Sequence, residues 1–204
     1  MEKIINYKLK DFLRLSDVDE ILNYLVLLEN LNPLKEIKNP TSKWWNRKPK
    51  RLKIKSVKDL SFGDVTLIRN LINEPELNSL IEIFKMVSEL NEKQILNLGI
   101  IQFYGIFSFI KQELLEISNW EVNELIDDED GIVDIHQEMV QAKERMARFG
   151  VLNTINSLAN DDVTKWDAIQ KLPYTTVFTK LKMDMVKNKI QSEIAELKRK
   201  QLKQ

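Results

Sequence analysis

The middle of the chain contains a long segment without a formal charge, and this segment limits the folds that are open to the chain. Gln94 to Ile110 includes no Lys, Arg, Asp or Glu. A helix of this length rises about 25 Å, which is short of the roughly 30 Å of a bilayer core, and Asn97, Gln102 and Ser108 interrupt it. The pattern predicts a buried central helix, with a membrane segment or an interface helix as alternatives.

Composition favours helices in the rest of the chain. The 204 residues are 43% hydrophobic and 30% charged, which is typical of a globular protein. Five Gly and five Pro leave little room for the turns of an all-β fold. We predict a mainly α fold, a single helical domain of about six to eight helices over residues 1–186, with an irregular basic arm at 32–58 and an acidic segment at 112–142. Residues 187–204 are predicted to form a charged C-terminal helical extension, the end of a long last helix.

Capping signals place several helix boundaries. Ser16, Ser61 and Asn91 are predicted N-caps, because short polar side chains accept hydrogen bonds from the first free amides of a helix. Gly150 is a predicted break, Asn160 to Asp162 a turn, and Pro173 the boundary before the last helix. The first helix is expected to run to about Leu31 and the segment Arg51 to Val57 to be a short strand or extended arm. The predicted apolar face of the first helix is Val18, Ile21, Leu22, Leu25 and Leu28, and that of the last helix is Val177, Phe178, Leu181, Met185, Ile190, Ile194 and Leu197.

The two signs of charge are separated along the chain although the formal net charge is zero. Lys43 to Lys58 contains eight basic residues and no carboxylate, whereas Gln112 to Ala142 contains ten carboxylates and no Lys or Arg. Opposite charges separated in this way attract copies of the same chain or other charged partners. The alternative is that the two segments neutralise each other within the fold.

No residue pattern points to catalysis or to a cofactor. The chain has no Cys, which excludes disulfides and thiolate chemistry, and His136 is its sole histidine. The acidic run from Asp127 to Glu138 is a poor calcium loop because Gly131 stands at its fifth place and not at the sixth. Phosphate-binding glycine loops and zinc-protease motifs are missing from the sequence. We expect a protein that is not an enzyme, without metal or cofactor, and the amino terminus lacks the pattern of a secretory signal.

Two segments carry a family resemblance. The stretch from Val57 to Asp64, followed by a leucine-rich helix, resembles the opening of small helical proteins encoded in the tail-gene regions of tailed bacteriophages, a group that includes tail assembly chaperones. Ile155 to Pro173 is similar to their closing pattern of an apolar helix, an acidic turn, an aromatic residue and a Leu-Pro step before a final helix. The aromatic helix from Gly99 to Phe109 stands where those proteins carry a comparable one.

The resemblance implies a phage assembly factor, tail assembly chaperone-like, that binds a structural protein partner in the host cytoplasm. One alternative is a stably incorporated virion structural protein of the tail, neck or capsid that self-assembles as a homo-oligomer. A nucleic-acid-binding protein is the other, because indole rings among basic side chains can stack on bases. The candidate partner-binding residues are Trp44, Trp45, Arg47, Lys48, Lys50 and Arg51 in the basic arm and Asp127, Asp128, Glu129 and Asp130 in the acidic segment.

Overall fold

The mainly α fold is confirmed. The structure, a computed structural model, describes residue 4 and residues 6–30, 52–74, 76–125 and 142–201. Within these ranges there are ten α-helices, six of them with eight or more residues, and β-structure is limited to isolated bridges. The helices are α1 Leu9–Phe12, α2 Val18–Asn30, α3 Phe62–Leu71, α4 Leu77–Val87, α5 Glu92–Leu96, α6 Ile100–Leu125, α7 Ala142–Ala147, α8 Val151–Leu158, α9 Trp166–Gln170 and α10 Tyr174–Gln201.

The chain divides into two compact units. The first contains Met1–Val57 and Leu67–Leu115, and the second contains Lys58–Thr66 and Glu116–Gln204. Helices α3 and α6 each contribute residues to both units. The second unit includes α10 to its end, and the predicted division of the chain at residue 187 stays a prediction.

The uncharged segment is buried, as predicted, but it is two helices and not one. Helix α5 starts at a reciprocal capping box between Asn91 and Gln94, and the chain then turns before α6 begins. The break has a backbone cause, because the amide of Leu9 donates to the carbonyl of Leu98 at 2.8 Å. The ring of Phe103 stacks on Phe84 with centroids 4.3 Å apart. Among the described residues, no helix combines the length and the hydropathy that crossing a bilayer requires.

In each unit, an isolated antiparallel bridge joins the residues that precede two helices. In the first unit, Lys8 and Gly99 form an antiparallel bridge immediately before α1 and α6. In the second, Ser61 and Pro173 do so before α3 and α10. The first amides of a helix have no partner inside the helix, and these bridges give one to the first residue of each. The donors are Leu9, Ile100, Phe62 and Tyr174, with distances of 2.8 to 3.0 Å.

Two predictions about α2 were wrong. Its N-cap is Asp17 and not Ser16, since the Asp17 carboxylate accepts from the amides of Asp19 and Glu20 at 3.0 and 3.2 Å. The predicted apolar face is also only partly buried. Of the predicted residues, Leu28 is buried and Ile21 and Leu25 are half-buried, but Val18 and Leu22 have 66% and 55% of their surface exposed. Tyr24, which was not predicted, is buried, and Val26 is 59% exposed.

The start of α3 and the later breaks agree with the sequence. The Ser61 hydroxyl accepts from the amide of Asp64 at 3.1 Å and donates to its carboxylate. Gly150 separates α7 from α8 with a φ of +50°, a region that L side chains rarely adopt, and α10 begins directly after Pro173.

Part of the basic arm is described, and it is extended as predicted. From Leu52 to Ser56 the side chains alternate between more buried and more exposed, and the amide of Lys55 donates to the carbonyl of Val87 at 2.8 Å. In the first unit the Glu113 carboxylate accepts from the Ser56 hydroxyl and the Val57 amide, each at 2.6 Å. Glu113 is only 8% exposed, so its carboxylate is bound within the fold and is not solvated.

The acidic half of α6 is bound by neighbouring side chains in the second unit as well. Lys58 contacts the Glu116 carboxylate at 2.5 Å, and Tyr174 donates to Glu121 at 2.7 Å. Lys182 pairs with Glu124. Together with Glu113, all four carboxylates therefore bind basic or polar groups of the arm or of the last helix. Lys58 and Glu116 are a contact between the basic and acidic segments within the chain, as the alternative of mutual neutralisation requires.

We expect Glu113→Gln to lower the free energy of unfolding by about 1–3 kcal/mol, because hydrogen bonds to a charged acceptor are stronger than those to an amide and the site is buried. Thermal or urea denaturation followed by circular dichroism measures the change. Glu89→Gln, at an exposed carboxylate of the same unit, is the matched control and should leave stability unchanged. An equal loss in both variants would contradict a special role for Glu113.

The turn before α9 lowers the pKa of a carboxyl group, and this shift can be tested by titration. Asn160 and Asp161 have positive φ, and Asp162 then caps the 3₁₀ helix Val163–Lys165. Hydrogen bonds from Thr164, followed by the contact with Lys165, lower the pKa of Asp162 from 3.8 to about 2. The charged carboxylate therefore favours the folded turn above about pH 4, and this contribution is lost as pH falls through 2. Carbon-detected NMR titration should show the low pKa, and Thr164→Val should raise it.

Candidate protein-binding surface

The start of α10 is fixed by one tyrosine. Tyr174 is 2% exposed, and its hydroxyl donates to Glu121 while its amide donates to the carbonyl of Leu60 at 3.0 Å. Its ring lies 6.5 Å from that of Phe62 and 6.3 Å from that of Phe178, measured between centroids, and both pairs are close to parallel. Polar and apolar contacts on several sides of the same side chain hold the helix in one orientation.

The next turns of α10 pack with the same face. Val177 is buried, and the ring of Phe178 lies 6.2 Å from that of Trp120 on α6. The ammonium group of Lys58 stands over the Trp120 ring, 4.5 Å from its centroid. The ion pair between Lys182 and Glu124 is the last contact between α10 and α6 among those described above.

Beyond this region the apolar side of α10 changes face, and the predicted single apolar face of the helix was wrong. From Met185 to Ile190 is five residues, which rotates the side chain by about 140° beyond one full turn at 3.6 residues per turn. Val177, Phe178, Leu181 and Met185 therefore lie on one side, whereas Ile190, Ile194 and Leu197 lie on another. Met183 and Val186 belong to the second side and were missed.

We name the second side the α10 stripe, and it consists of Met183, Val186, Ile190, Ile194 and Leu197. Each of these five side chains has between 45% and 64% of its surface exposed. Their successive spacings are three, four, four and three residues, which matches an 11-residue repeat and follows a straight α-helix with little drift. The stripe is therefore a continuous apolar line about 21 Å long at 1.5 Å per residue.

The surface around the stripe is open and basic. A shallow groove is lined by Thr179, Lys182, Met183, Val186, Lys187, Ile190 and Gln191, all of which belong to α10. Because one helix supplies every lining residue, the groove is an open surface and not an enclosed ligand cavity. Between residues 179 and 201 there are seven Lys or Arg and three carboxylates, so the stripe lies in a basic surrounding.

The ten partner-binding residues predicted from the sequence lie outside the described residues. They are Trp44, Trp45, Arg47, Lys48, Lys50, Arg51, Asp127, Asp128, Glu129 and Asp130. A sequence signal for the stripe did exist, namely the regular spacing from Met183 to Leu197, but the apolar residues preceding it obscured the change of face.

The described part of the chain offers no group of three or more His, Asp or Glu placed to hold a metal ion. His136 and the run from Asp127 to Glu138 lie outside the described residues. Comparison of the chain with protein-family models, with curated proteins and with solved structures found no match. The α10 stripe is the candidate functional surface among the described residues.

Because the stripe is exposed, we expect substitutions in it to lower the hydrophobicity of the protein surface without lowering the free energy of unfolding. The double variant Ile190→Lys with Ile194→Lys should change the free energy of unfolding by no more than about 0.5 kcal/mol per site, since both side chains are largely exposed. It should also reduce the fluorescence of a bound apolar dye such as anilinonaphthalene sulfonate. Asn188→Lys with Ser192→Lys adds the same charge on another face of the same helix and should leave dye binding unchanged. Unfolding of the stripe variant would show that these side chains are part of the core.

Proposed function

We propose that the protein is a non-enzymatic assembly factor that binds a structural protein partner through the α10 stripe. The observation that carries the proposal is the row of five apolar side chains, each about half exposed or more, on a helix whose root is firmly packed. Contiguous exposed apolar surface on a folded protein is typical of an interaction site. A partner helix laid along the stripe would remove this surface from water.

The stripe is suited to holding a helical segment of a partner. Its residues recur on the same side of α10 at every turn, so a second apolar helix can contact them over about four turns. Burial of a Leu, Ile or Met side chain contributes roughly 1.5–3 kcal/mol when it is complete. Five partly exposed side chains can therefore support a stable complex without any enclosed pocket.

The resemblance of Val57–Asp64 and of Ile155–Pro173 to tail-region proteins of tailed bacteriophages supports a more specific proposal. In this proposal the partner is a phage structural protein, and the chain acts as a tail assembly chaperone in the host cytoplasm. Coating an aggregation-prone tail component requires an accessible apolar surface, and the α10 stripe supplies one. The second candidate is a structural protein of the virion, for which the same stripe would be an assembly contact.

Co-expression tests the proposal directly. The chain is produced together with tail structural proteins encoded beside it, and complexes are isolated through a tag on the chain. The wild type and the Asn188→Lys, Ser192→Lys control should retain the partner and keep it soluble, whereas Ile190→Lys with Ile194→Lys should lose it. The physical reason is the cost of burying two ammonium groups in an apolar contact.

Failure of all three chains to retain any of these proteins would contradict the proposed function. Equal retention by the stripe variant would leave a partner but exclude the α10 stripe as its site. The virion candidate is distinguished by where the chain is found, because a chaperone is absent from purified particles and a structural protein remains in them.

A further inference from the structure

A second exposed apolar line, on α2, matches the α10 stripe in form. Val18, Leu22 and Val26 follow one another at four-residue spacing, and each has between 55% and 66% of its surface exposed. We name these three residues the α2 stripe. It extends about 12 Å at 1.5 Å per residue and therefore fits within the length of the α10 stripe.

The charges around the two stripes are opposite. From Leu15 to Leu34 the sequence contains four carboxylates and no Lys or Arg, and Asp19 lies beside the α2 stripe by helical position. Around the α10 stripe the excess is basic. Lys187 lines the groove, as does Lys182, whose charge is already paired with Glu124. Tyr24 marks the inner side of α2, where its hydroxyl donates to Glu20 at 2.7 Å and its ring meets Tyr7 edge to face, so the α2 stripe is the outward side.

We propose that the α2 stripe of one copy docks on the α10 stripe of a second copy. The occupant is chosen by charge, because pairing α10 with α10 would set lysines against lysines and pairing α2 with α2 would set carboxylates against carboxylates. Rows at four-residue spacing occur on both helices, Val18, Leu22 and Val26 on one and Val186, Ile190 and Ile194 on the other. Rows of this kind interdigitate in the commonest class of helix packing.

The contact joins two different surfaces of the same chain, and this determines how copies assemble. A contact between unlike surfaces can repeat from copy to copy, unless both stripes of one copy meet both stripes of a single partner. Association therefore produces either a closed dimer with two such contacts or larger rings and filaments. It also weakens as salt rises, since the surrounding charges are exposed to solvent.

The inference rests on the proposed function in one respect, because both use the α10 stripe as a binding surface. A structural partner and a second copy then compete for the same five side chains. The experiment below uses the purified chain alone, so that its outcome is independent of whether any structural partner binds.

Two single variants and their mixture test the contact. Leu22→Lys removes the α2 stripe and Ile190→Lys removes the α10 stripe, and each should raise the dissociation constant about tenfold or more by placing an ammonium group in the apolar contact. In analytical ultracentrifugation at low salt the wild type should form concentration-dependent dimers or larger species. Each variant alone should be mainly monomeric, and an equal mixture should form dimers that proceed no further, because one intact stripe of each kind remains.

Asn188→Lys is the control and should assemble as the wild type does, and circular dichroism establishes that each variant is folded. Three results would overturn the proposal. They are a wild type that stays monomeric up to its solubility limit, a Leu22→Lys variant that forms stable dimers by itself, and a mixture that stays monomeric while the wild type assembles. The first leaves the proposed function standing if co-expression still yields a complex, and the second shows that α10 pairs with α10.

Discussion

Tyr174 is the contact on which the orientation of the last helix depends. Its hydroxyl donates to Glu121 of α6, and its amide donates to the carbonyl of Leu60. Its ring packs nearly parallel to that of Phe62. A helix held at its root in this way cannot rotate to bury whichever face is most apolar. The α10 stripe is therefore left facing solvent by a geometric requirement and not by a lack of hydrophobic residues.

The carboxylates in the acidic half of α6 fix how this helix is aligned with the segments that pack against it. Carboxylates at positions 113, 116, 121 and 124 meet a hydroxyl and an amide of the arm, Lys58, Tyr174 and Lys182 respectively. Buried or half-buried acceptors of this kind tolerate only donors in the right place, so they select one register between the helix and its neighbours. Charge that the sequence shows as two separated segments is thus partly paired inside the fold.

Local signals in the sequence were sufficient for much of the fold. The caps at Ser61 and Asn91, the break at Gly150, the turn at Asn160 and the boundary at Pro173 depend on side-chain and backbone chemistry within a few residues. Predictions failed where a distant partner decided the outcome. The uncharged segment is divided because Leu98 accepts a hydrogen bond from Leu9, and Val18 and Leu22 are exposed because Tyr24 and Leu28 occupy the inner side of α2.

The sequence by itself determined that the chain is mainly helical, where several of its helices begin, and that its charges are separated. These properties follow from composition, short-range capping and spacing, which need no knowledge of what lies opposite a residue. Only the tertiary structure decided which apolar residues of α2 and α10 reach the core. Helical spacing specifies which side chains share a face, but the packing partners of that helix determine which face is buried, and at α10 those partners meet the Tyr174 side.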